Sequence, residues 1–427
     1  MAKLNLTVSK TNSLKGELII PADKSISHRS AMFACMTGGV LEIENFSQGG
    51  DCISTLGIIK ALGCDIDYLG EKHVKIDARN AFKQKSYNLD CGNSGTSMRL
   101  FSGIVASRDI ECRLFGDESL SKRPMKRVIT PLELMGAKIK HDNYKAPLFI
   151  KGGELYPIDY KSPIASAQVK SCVLLAGLNT VGTTRVTEPF VSRDHTERML
   201  KYLGADISVE ETSVTVKKSV LEPKNLKVCG DISSAAFFMV AGSIVPNSDI
   251  VLKNVGLNNT RTGVIDVLKS MNADIEILDL RVENNEEVGD IRVRYSQLSG
   301  TTIEGAIIPR LIDELPVIAV AAAVANEKTI VKNAGDLRNK ESDRIKCLVN
   351  ELQKIGVQIE ETEDGFIIDG RDNLRGGCEV ECYHDHRLAM SLYVAGLICE
   401  KEILINDFQW VDISFPEFLV FMEQIRN

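Results

Sequence analysis

Basic and hydroxyl side chains lie close together at several points of the chain, in patterns that suit anion binding. Lys24, Ser25 and Arg29 lie on one short segment, where a lysine before a helix and an arginine one turn inside it could hold a phosphate or carboxylate together. The segment 91–99, CGNSGTSMR, has two glycines that allow the backbone to approach a ligand closely. Arg123 precedes a proline, which predicts a helix beginning there and an anion bound beside the arginine.

The most charged segment is 337–344, LRNKESDR. Lys340 and Arg344 are four residues apart, which predicts that they share a helix face with Glu341 beside them. Another arginine, Arg387, precedes an apolar run. A solvated charge run and ordinary helix capping by Ser, Asn and Asp are the alternative interpretations. Capping alone, however, does not account for the basic residues beside the caps.

A short recurring pattern predicts the elements that position these side chains. It consists of five positions in order: an apolar residue, a second residue that is usually glycine, a small residue, a variable residue and isoleucine. The copies are spaced 68 to 84 residues apart. Each copy indicates a helix that glycine ends and a strand that follows, and a second strand then completes a hairpin. The copies begin at Leu62, Met135, Leu203, Met271 and Ile355.

A second series, in phase with the first, consists of polar residues that precede strongly apolar segments. It predicts six buried helices, whose N-termini are natural anion sites. These helix starts lie at Ser25, Asn93, Ala165, Asp231, Asp313 and Asp385. Both series together predict six units of roughly 70 residues. The last unit lacks a hairpin after its helix at 416–425, so we expect the N-terminal strand 4–8 to complete it.

The repeats predict an α/β protein with two domains of three units each. The expected boundaries are 21–229 for one domain and 1–20 plus 230–427 for the other. A chain of 427 residues is too long for one ordinary core, which also favours two domains. If the domains face each other, their helix starts could converge on a cleft.

Composition argues against several functional classes. A formal net charge of −7 gives no bulk electrostatic support for binding to nucleic acid or to a membrane surface. The absence of a signal core and of a membrane-spanning apolar run predicts a cytoplasmic protein. Eleven scattered cysteines without a CxxC pair indicate reduced thiols. His384 and His386 have no third ligand at a suitable spacing, so we expect no metal site.

These motifs together resemble the enolpyruvyl transferase family, and within it the members that act on shikimate 3-phosphate. The resemblance extends over essentially the whole chain through PADKSISHRS, LDCGNSGTSMRL, SKRPMKR, ASAQVKS, SRDHTER, GDISSAAFF, IDELPVIAVAAA, LRNKESDRI, HDHRLAM and SFPEF. It implies a two-domain inverse α/β prism of six βαβαββ repeats, with the active site in the interdomain cleft. It also implies transfer of the enolpyruvyl group of phosphoenolpyruvate to the 5-hydroxyl of shikimate 3-phosphate, through a tetrahedral intermediate and without a cofactor or metal.

The resemblance implies a role for each matching residue. Asp313 would accept the hydroxyl proton, Glu341 would protonate the methylene carbon, and Lys24 or Lys340 would assist. Shikimate 3-phosphate would be bound by Lys24, Ser25, Arg29, Ser166, Ala167, Gln168, Arg193, Asp313 and Lys340. Phosphoenolpyruvate would be bound by Lys24, Asn93, Gly95, Arg123, Gln168, Arg344 and Arg387. These two small molecules are the expected partners of a monomeric enzyme.

Two positions depart from the family pattern. Ala22 replaces a usual glycine and requires a backbone without positive φ, and Ile413 stands where some members place a lysine that contacts phosphoenolpyruvate. The alternative function is enolpyruvyl transfer to UDP-N-acetylglucosamine. That sister enzyme lacks the SAQVKS and RDHTER motifs and uses a cysteine or aspartate in a mobile loop, where this chain offers Asp117. A non-catalytic anion-binding protein would not need Asp313 and Glu341 beside its cations, because carboxylates weaken anion binding.

Overall fold

Helices and strands alternate along the chain in a computed structural model that describes residues 3–371 and 373–426. The α-helices of this part are α1 Lys24–Thr37, α2 Gly50–Ala61, α3 Gly95–Ala106, α4 Glu118–Lys122, α5 Lys126–Leu134, α6 Ala167–Gly177, α7 His195–Tyr202, α8 Ile232–Ile244, α9 Gly263–Ser270, α10 Ile308–Leu311, α11 Leu315–Ala323, α12 Arg344–Ile355, α13 His386–Gly396 and α14 Phe418–Ile425. Short 3-10 helices span Gly305–Ile307, Gly335–Asn339 and Phe408–Ile413.

The strands are short, and most of them belong to hairpins or parallel pairs. They are β1 Leu6–Val8, β2 Lys15–Ile19, β3 Val40–Glu44, β4 Asp65–Gly70, β5 His73–Asp77, β6 Ser86–Asp90, β7 Glu111–Phe115, β8 Lys138–Asp142, β9 Lys145–Lys151, β10 Asp159–Lys161, β11 Thr183–Thr187, β12 Ile207–Glu210, β13 Ser213–Lys217, β14 Leu226–Lys227, β15 Asp249–Gly256, β16 Asp274–Glu283, β17 Glu286–Arg294, β18 Thr302–Ile303, β19 Lys328–Val331, β20 Gln358–Glu361, β21 Phe366–Asp369, β22 Leu374–Gly376, β23 Glu379–Glu381, β24 Cys399–Lys401 and β25 Ile403–Asn406.

Five four-stranded sheets in the described ranges share one topology. Their strand orders are β14-β3-β5-β4, β6-β7-β9-β8, β10-β11-β13-β12, β2-β15-β17-β16 and β18-β19-β21-β20. The first pair in each order is parallel. A buried helix connects the parallel strands in three of these sheets, through α3, α6 and α11. The predicted α/β fold with a repeated unit is therefore confirmed.

The sixth repeat is assembled from both ends of the described chain. β23 is parallel to β25, and β1 pairs with β25 in antiparallel fashion, with Leu6 opposite Ile405 and Val8 opposite Ile403. β22 and β24 form a separate parallel pair. β1 thus has the position that the last hairpin strand has in the other sheets.

The predicted helix ends have a common backbone geometry. Gly63, Gly136, Gly204 and Gly356 have φ between 87° and 104°, and Asn272 in the fourth copy has φ 69°. This left-handed conformation suits glycine and, among other residues, asparagine. The recurring pattern therefore marks the end of each helix as predicted, including the copy in which asparagine replaces glycine.

The described residues divide into two compact units. The N unit comprises 22–229 and 283–286, and the C unit comprises 3–21, 230–282, 287–371 and 373–426. The chain passes between units after β2, which pairs with β15, and again after β14, which pairs with β3. In both places the strand and the helix that follows it therefore belong to different units.

The interior of the N unit contains closely packed helices and a buried polar chain. A Cβ atom at Gly103 in α3 would lie 2.1 Å from the carbonyl oxygen of Cys172 in α6, so only glycine permits this approach. His28 Nδ1 lies 2.6 Å from Thr55 Oγ1, which lies 2.7 Å from Ser97 Oγ. Burial lowers the pKa of His28 to about 3, so the ring is neutral at physiological pH.

The interior of the C unit is more uniformly apolar. All nine residues of α11 are buried, which confirms the prediction that this helix is enclosed. Phe418 packs edge to face against Tyr393 and Phe415, with ring centroids 5.3 and 5.6 Å away. Among residues 3–371 and 373–426, no helix combines the length and apolarity that crossing a membrane would require.

Candidate active site

Arg29 in α1 is a buried cation at the centre of the N unit. Its side chain donates from Nε to Thr196 Oγ1 at 2.7 Å and from Nη2 to Ser171 Oγ at 3.1 Å. It also donates to the carbonyl oxygen of Ser25 at 3.0 Å. Hydroxyl and carbonyl acceptors orient a guanidinium but do not cancel its charge. Arg29 and Ser25, both predicted site residues, thus lie beside each other on α1, and Arg29 contacts α7 and α6 through Thr196 and Ser171.

Lys24 begins α1 and forms an ion pair with Asp51. Its Nζ lies 2.5 Å from Asp51 Oδ2, and the two side chains are 24% and 12% exposed. Asp51 lies in the first turn of α2, after two glycines. Sequence analysis did not identify Asp51, although the Gly-Gly-Asp turn was a usable signal. An anion that binds Lys24 would compete with this carboxylate.

Two arginines face the start of α3. Ser94 caps this helix by accepting from Ser97 N at 3.1 Å, and Gly95 is its first residue. A Cβ at Gly95 would lie 2.9 Å from Arg99 Nη1 and 3.5 Å from Arg123 Nη1. Arg99 was not among the predicted site residues, although it lies one helical turn after Gly95. Gly95, Arg99 and Arg123 therefore form one anion-compatible surface.

The predicted position of Arg123 at the start of a helix is wrong. Arg123 instead ends the short helix α4 and has extended backbone, with φ −75° and ψ 137°. The reason is Pro124, which disfavours helical backbone in the residue before it. α5 begins only at Lys126. A helix start at Arg123 therefore gives no support for an anion bound beside it.

The side chain of Arg123 is held instead by Asn93. Arg123 Nη2 donates to Asn93 Oδ1 at 2.9 Å, and Asn93 Nδ2 donates to Asp117 Oδ2 at 2.7 Å. Asp117 also caps α4 by accepting from Leu120 N at 2.8 Å. The predicted residues Asn93 and Arg123 are therefore in direct contact.

α6 connects the two arginine surfaces. Gln168 accepts from Arg99 Nη1 at 2.6 Å and donates to Thr96 Oγ1 at 3.0 Å. Ser171, nearly one turn later in α6, contacts Arg29. We call this set the cationic cluster: Lys24, Arg29, Arg99, Arg123 and Gln168.

Ser166 and Arg193 are brought together by a carboxylate that sequence analysis missed. Ser166 caps α6, and its backbone N donates to Glu188 Oε1 at 2.7 Å. Ser192, which precedes Arg193, donates from Oγ to the same carboxylate at 2.7 Å. Ala167 is the first residue of α6, and it, Ser166 and Arg193 are all half-buried.

Arg344, the first residue of α12, is a buried cation of the C unit. Its side chain is 1% exposed and donates to Asp385 Oδ2 at 2.7 Å, Glu341 Oε2 at 2.6 Å and Asp313 Oδ1 at 3.2 Å. Burial alone would lower the pKa of Arg344, but these three carboxylates outweigh it and raise the pKa above its ordinary value. Arg344 is therefore permanently charged and held in one position.

Asp313 also contacts the other predicted cations of this unit. Lys340 Nζ lies 3.5 Å from Asp313 Oδ1, and Arg387 Nη2 lies 4.0 Å from Asp313 Oδ2. Arg387 Nη1 donates to the Asp313 carbonyl at 3.1 Å. We call this set the carboxylate–arginine cluster: Asp313, Lys340, Glu341, Arg344, Asp385 and Arg387. Asp385 was predicted only as a helix start, and its contact with Arg344 was not foreseen.

The prediction that Lys340 and Arg344 share a helix face is wrong. Lys340 has extended backbone, with φ −87° and ψ −152°, and α12 begins only at Arg344. Asp343 causes this start, because its side chain caps α12 by accepting from Lys346 N at 3.1 Å. Lys340 and Arg344 meet through Asp313 rather than through helical spacing.

The two departures from the family pattern have simple local consequences. Ala22 is buried, and it is not among the described residues with positive φ, so its methyl group causes no backbone strain. Ile413 ends the 3-10 helix that also contains Trp410, the residue on which His384 stacks at 4.5 Å. Within 3–371 and 373–426, no group of three or more His, Cys, Asp or Glu is arranged for a metal ion.

Comparison with known proteins gives one consistent result. The family model described as EPSP synthase (3-phosphoshikimate 1-carboxyvinyltransferase) matches residues 8–422. A 3-phosphoshikimate 1-carboxyvinyltransferase from Thermoanaerobacter sp. (strain X514) is 50% identical over 418 residues, covering 97% of this chain and 98% of the relative. One from Bacillus licheniformis is 49% identical over 422 residues, covering 98% and 99%.

Solved structures agree with this result. The EPSP synthase of Acinetobacter baumannii is 40% identical and superposes with a TM-score of 0.89, covering 100% of this chain and 98% of that one. The enolpyruvyl transferase NikO of Streptomyces tendae superposes with a TM-score of 0.81 at 16% identity, covering 99% and 97%. At that identity the second comparison supports the fold alone.

Proposed function

The chain belongs to the EPSP synthase family, and on that basis we propose that it transfers the enolpyruvyl group of phosphoenolpyruvate to the 5-hydroxyl of shikimate 3-phosphate, releasing phosphate. The observation that carries this proposal is the carboxylate–arginine cluster. It holds Asp313 and Glu341, the two carboxylates proposed to transfer protons, beside three cations. A reaction between two anions needs cations to offset their repulsion, and an addition followed by an elimination needs proton donors and acceptors.

The chemistry assigns a different task to each carboxylate. Glu341 delivers a proton to the methylene carbon of phosphoenolpyruvate, which makes the adjacent carbon electrophilic. Asp313 takes the proton of the 5-hydroxyl. The hydroxyl oxygen of shikimate 3-phosphate then bonds to the electrophilic carbon of phosphoenolpyruvate, which gives a tetrahedral intermediate. Phosphate then leaves with its bonding electron pair as the methyl carbon returns a proton to the Glu341 carboxylate, which restores the double bond. Arg344 contacts both carboxylates and so sets their spacing.

The cationic cluster supplies the remaining substrate contacts in this proposal. Shikimate 3-phosphate is bound by Lys24, Ser25, Arg29, Ser166, Ala167, Gln168 and Arg193, with Asp313 and Lys340. Phosphoenolpyruvate is bound by Lys24, Asn93, Gly95, Arg123 and Gln168, with Arg344 and Arg387. The position of Arg99 beside Gly95 adds it to the second set. The product continues through the shikimate pathway to chorismate and the aromatic amino acids.

Three further properties complete the proposal. The N unit and the C unit are proposed as the two domains, with the boundaries near 21 and 229 that the repeats predict. The enzyme works as a monomer, because one chain supplies every proposed substrate contact. It is cytoplasmic, a location that suits eleven free cysteines of which ten are buried. Light scattering after size exclusion at micromolar concentration tests the monomer.

A phosphate-release assay tests the function. Wild-type protein with shikimate 3-phosphate and phosphoenolpyruvate is expected to release phosphate, and neither substrate alone should do so. Background rates with both substrates present would refute the assignment. Release only when UDP-N-acetylglucosamine replaces shikimate 3-phosphate would establish the sister reaction instead.

A further inference from the structure

Lys170, in the first turn of α6, belongs to a buried group of three charged side chains. Lys170 Nζ lies 2.9 Å from Glu188 Oε2 and 2.8 Å from Glu197 Oε1, and all three side chains are only 2–3% exposed. Burial of this many charges is costly, and apolar side chains of similar volume usually stabilise a fold at least as well. Stability alone therefore does not explain the group.

The surroundings of Lys170 favour its charged form. Burial opposes the charge of Lys170, but the two carboxylates outweigh it and raise the pKa of Lys170 above its ordinary value. Burial raises the pKa of Glu197. Lys170 is thus a fixed ammonium that holds Glu188 in place.

Glu188 joins two loops that carry proposed substrate contacts. Its Oε1 accepts from the backbone N of Ser166 at 2.7 Å, and the carboxylate also accepts from Ser192 Oγ at 2.7 Å and from Ser192 N at 3.3 Å. Lys170 Nζ donates to the carbonyl oxygen of Ser192 at 3.3 Å, so the ammonium fixes the same loop. One loop leads into α6 at Ala167, and the other leads to Arg193.

The preceding repeat of the N unit uses a carboxylate in the same place. Glu188 directly follows β11, and Asp117 lies two residues after β7, the equivalent strand of its own sheet. Asp117 likewise holds a residue that precedes a buried helix, Asn93, and the backbone of the next short helix. A carboxylate after the second strand is therefore a recurring way of fixing these loops.

We propose that Glu188, held by Lys170, is a positioning residue that sets the spacing between Ser166 and Arg193 and thereby the affinity for the phosphate of shikimate 3-phosphate. This inference rests on the proposed function. Oxyanion binding depends on donors held within a fraction of an ångström, so release of either loop weakens it. Phosphoenolpyruvate shares only Gln168 of α6 with this region, and its other proposed contacts lie outside the two loops that Glu188 holds, so its affinity is affected less.

The charges of the group indicate which variants are informative. Glu188→Ala leaves one ammonium, Lys170, paired with one carboxylate, Glu197, so the remaining buried charges balance and the N unit can fold. Lys170→Met would instead leave two buried carboxylates without their cation and destabilise the protein. Glu188→Gln retains an oxygen that can accept from Ser166 N. Ser192→Ala removes one donor from the carboxylate and tests the second loop independently of the first.

Steady-state kinetics with each substrate varied at saturation of the other test the proposal. For Glu188→Ala we expect KM for shikimate 3-phosphate to rise about 10- to 100-fold, the range expected from losing hydrogen bonds to a charged group. KM for phosphoenolpyruvate and kcat should each change by less than about threefold, since neither depends on the released loops. Glu188→Gln should recover most of the affinity, and Ser192→Ala should raise the same KM by a smaller factor.

The control is Glu210→Ala in β12, which removes an exposed carboxylate of the same unit that lies 3.8 Å from Arg185. Unchanged KM for shikimate 3-phosphate in both Glu188→Ala and Ser192→Ala overturns the inference. Equal losses for both substrates, with no recovery in Glu188→Gln, also overturn it by showing a merely structural role. A wild-type enzyme without turnover refutes the proposed function instead, so the two failures are distinguishable.

Discussion

The helix starts that hold Arg29 and Arg344 differ in chemistry on the same repeated framework. In the N unit, the hydroxyls of Ser94 and Ser166 cap α3 and α6, Asp23 caps α1, and Arg29 donates to hydroxyls and a carbonyl. In the C unit, Asp385 caps α13, and its carboxylate also binds Arg344. The repeated fold places a helix start at equivalent positions in both units. The side chain at each helix start therefore decides which groups it can bind.

The difference separates two tasks that one anion-binding surface could not perform well together. Arg29 donates to hydroxyl and carbonyl oxygens, whereas Arg344 lies among three carboxylates that favour its charged form. The second arrangement suits proton transfer, because it holds the carboxylates rigidly. Within the proposed function, the N unit mainly binds and the C unit mainly reacts.

The largest expected effect is on turnover, through Glu341 in the C unit. Glu341→Gln retains an acceptor for Arg344 but cannot deliver a proton, so we expect kcat to fall about 10²- to 10⁴-fold, as for other acid–base residues. KM for both substrates should change little. Glu304→Gln, which alters a half-exposed carboxylate paired with Lys332, is the control. Comparable losses in kcat and in affinity would show that Glu341 is structural.

Stability should distinguish the central arginines of the two units. Arg344→Met leaves Asp385, Glu341 and Asp313 without their common cation and should cost about 3–5 kcal/mol. Arg29→Met should cost clearly less, because its acceptors Ser171 Oγ and Thr196 Oγ1 already lie 2.6 Å apart and can satisfy each other. Urea unfolding followed by circular dichroism measures both. Equal losses would contradict the contrast between neutral and charged partners.

Acid should destabilise the N unit through His28. The pKa of His28 is about 3 when folded and 6.5 ordinarily, so below pH 6.5 the unfolded chain binds a proton that the folded one does not. The contribution of His28 to the free energy of unfolding is fully present above pH 6.5 and is lost as the pH falls toward 3. Between pH 7 and 5 the loss should be about 2 kcal/mol by linkage. Unfolding titrations of His28→Gln should lack this component, and an identical pH dependence would disprove it.

The smallest expected effect concerns Gly95. In Gly95→Ala the new methyl would lie 2.9 Å from Arg99 Nη1, so the Arg99 guanidinium must shift, and it would be in van der Waals contact with Arg123 Nη1 at 3.5 Å. We expect KM for phosphoenolpyruvate to rise about tenfold, equivalent to roughly 1.4 kcal/mol, with a smaller change for shikimate 3-phosphate. Gly57→Ala in α2, where a methyl would meet nothing within 4 Å, is the matched control. An unchanged KM for phosphoenolpyruvate would remove Gly95 from that binding surface.

Much of the fold could be predicted because its signals are local. Apolar periodicity and the residues that end helices lie within a few positions of each other, and the recurring pattern marks the left-handed residues from Gly63 to Gly356. Local signals also competed with one another. Pro124 and Asp343 each moved a helix start by a few residues, which displaced Arg123 and Lys340 from their predicted helices.

The missed site residues have a different cause. Asp51, Arg99, Asp385 and Glu188 all act on side chains or backbone groups, most of them more than 20 positions away in the chain. No spacing rule connects such pairs, because the topology of the sheets brings them together. The residues that hold a site in place are therefore harder to predict than those that carry its motifs.

The pairing of β1 with β25 affects how the protein is made. Leu6 must remain without its strand partner until Ile405 has been synthesised, which at about 5–20 residues per second takes roughly 20–80 s. The N unit is almost continuous in sequence and can fold on the nascent chain during this interval. The C unit encloses it in sequence and can be completed only after β25 has been synthesised. The ribosome therefore delivers the proposed binding half of the enzyme before the reactive half.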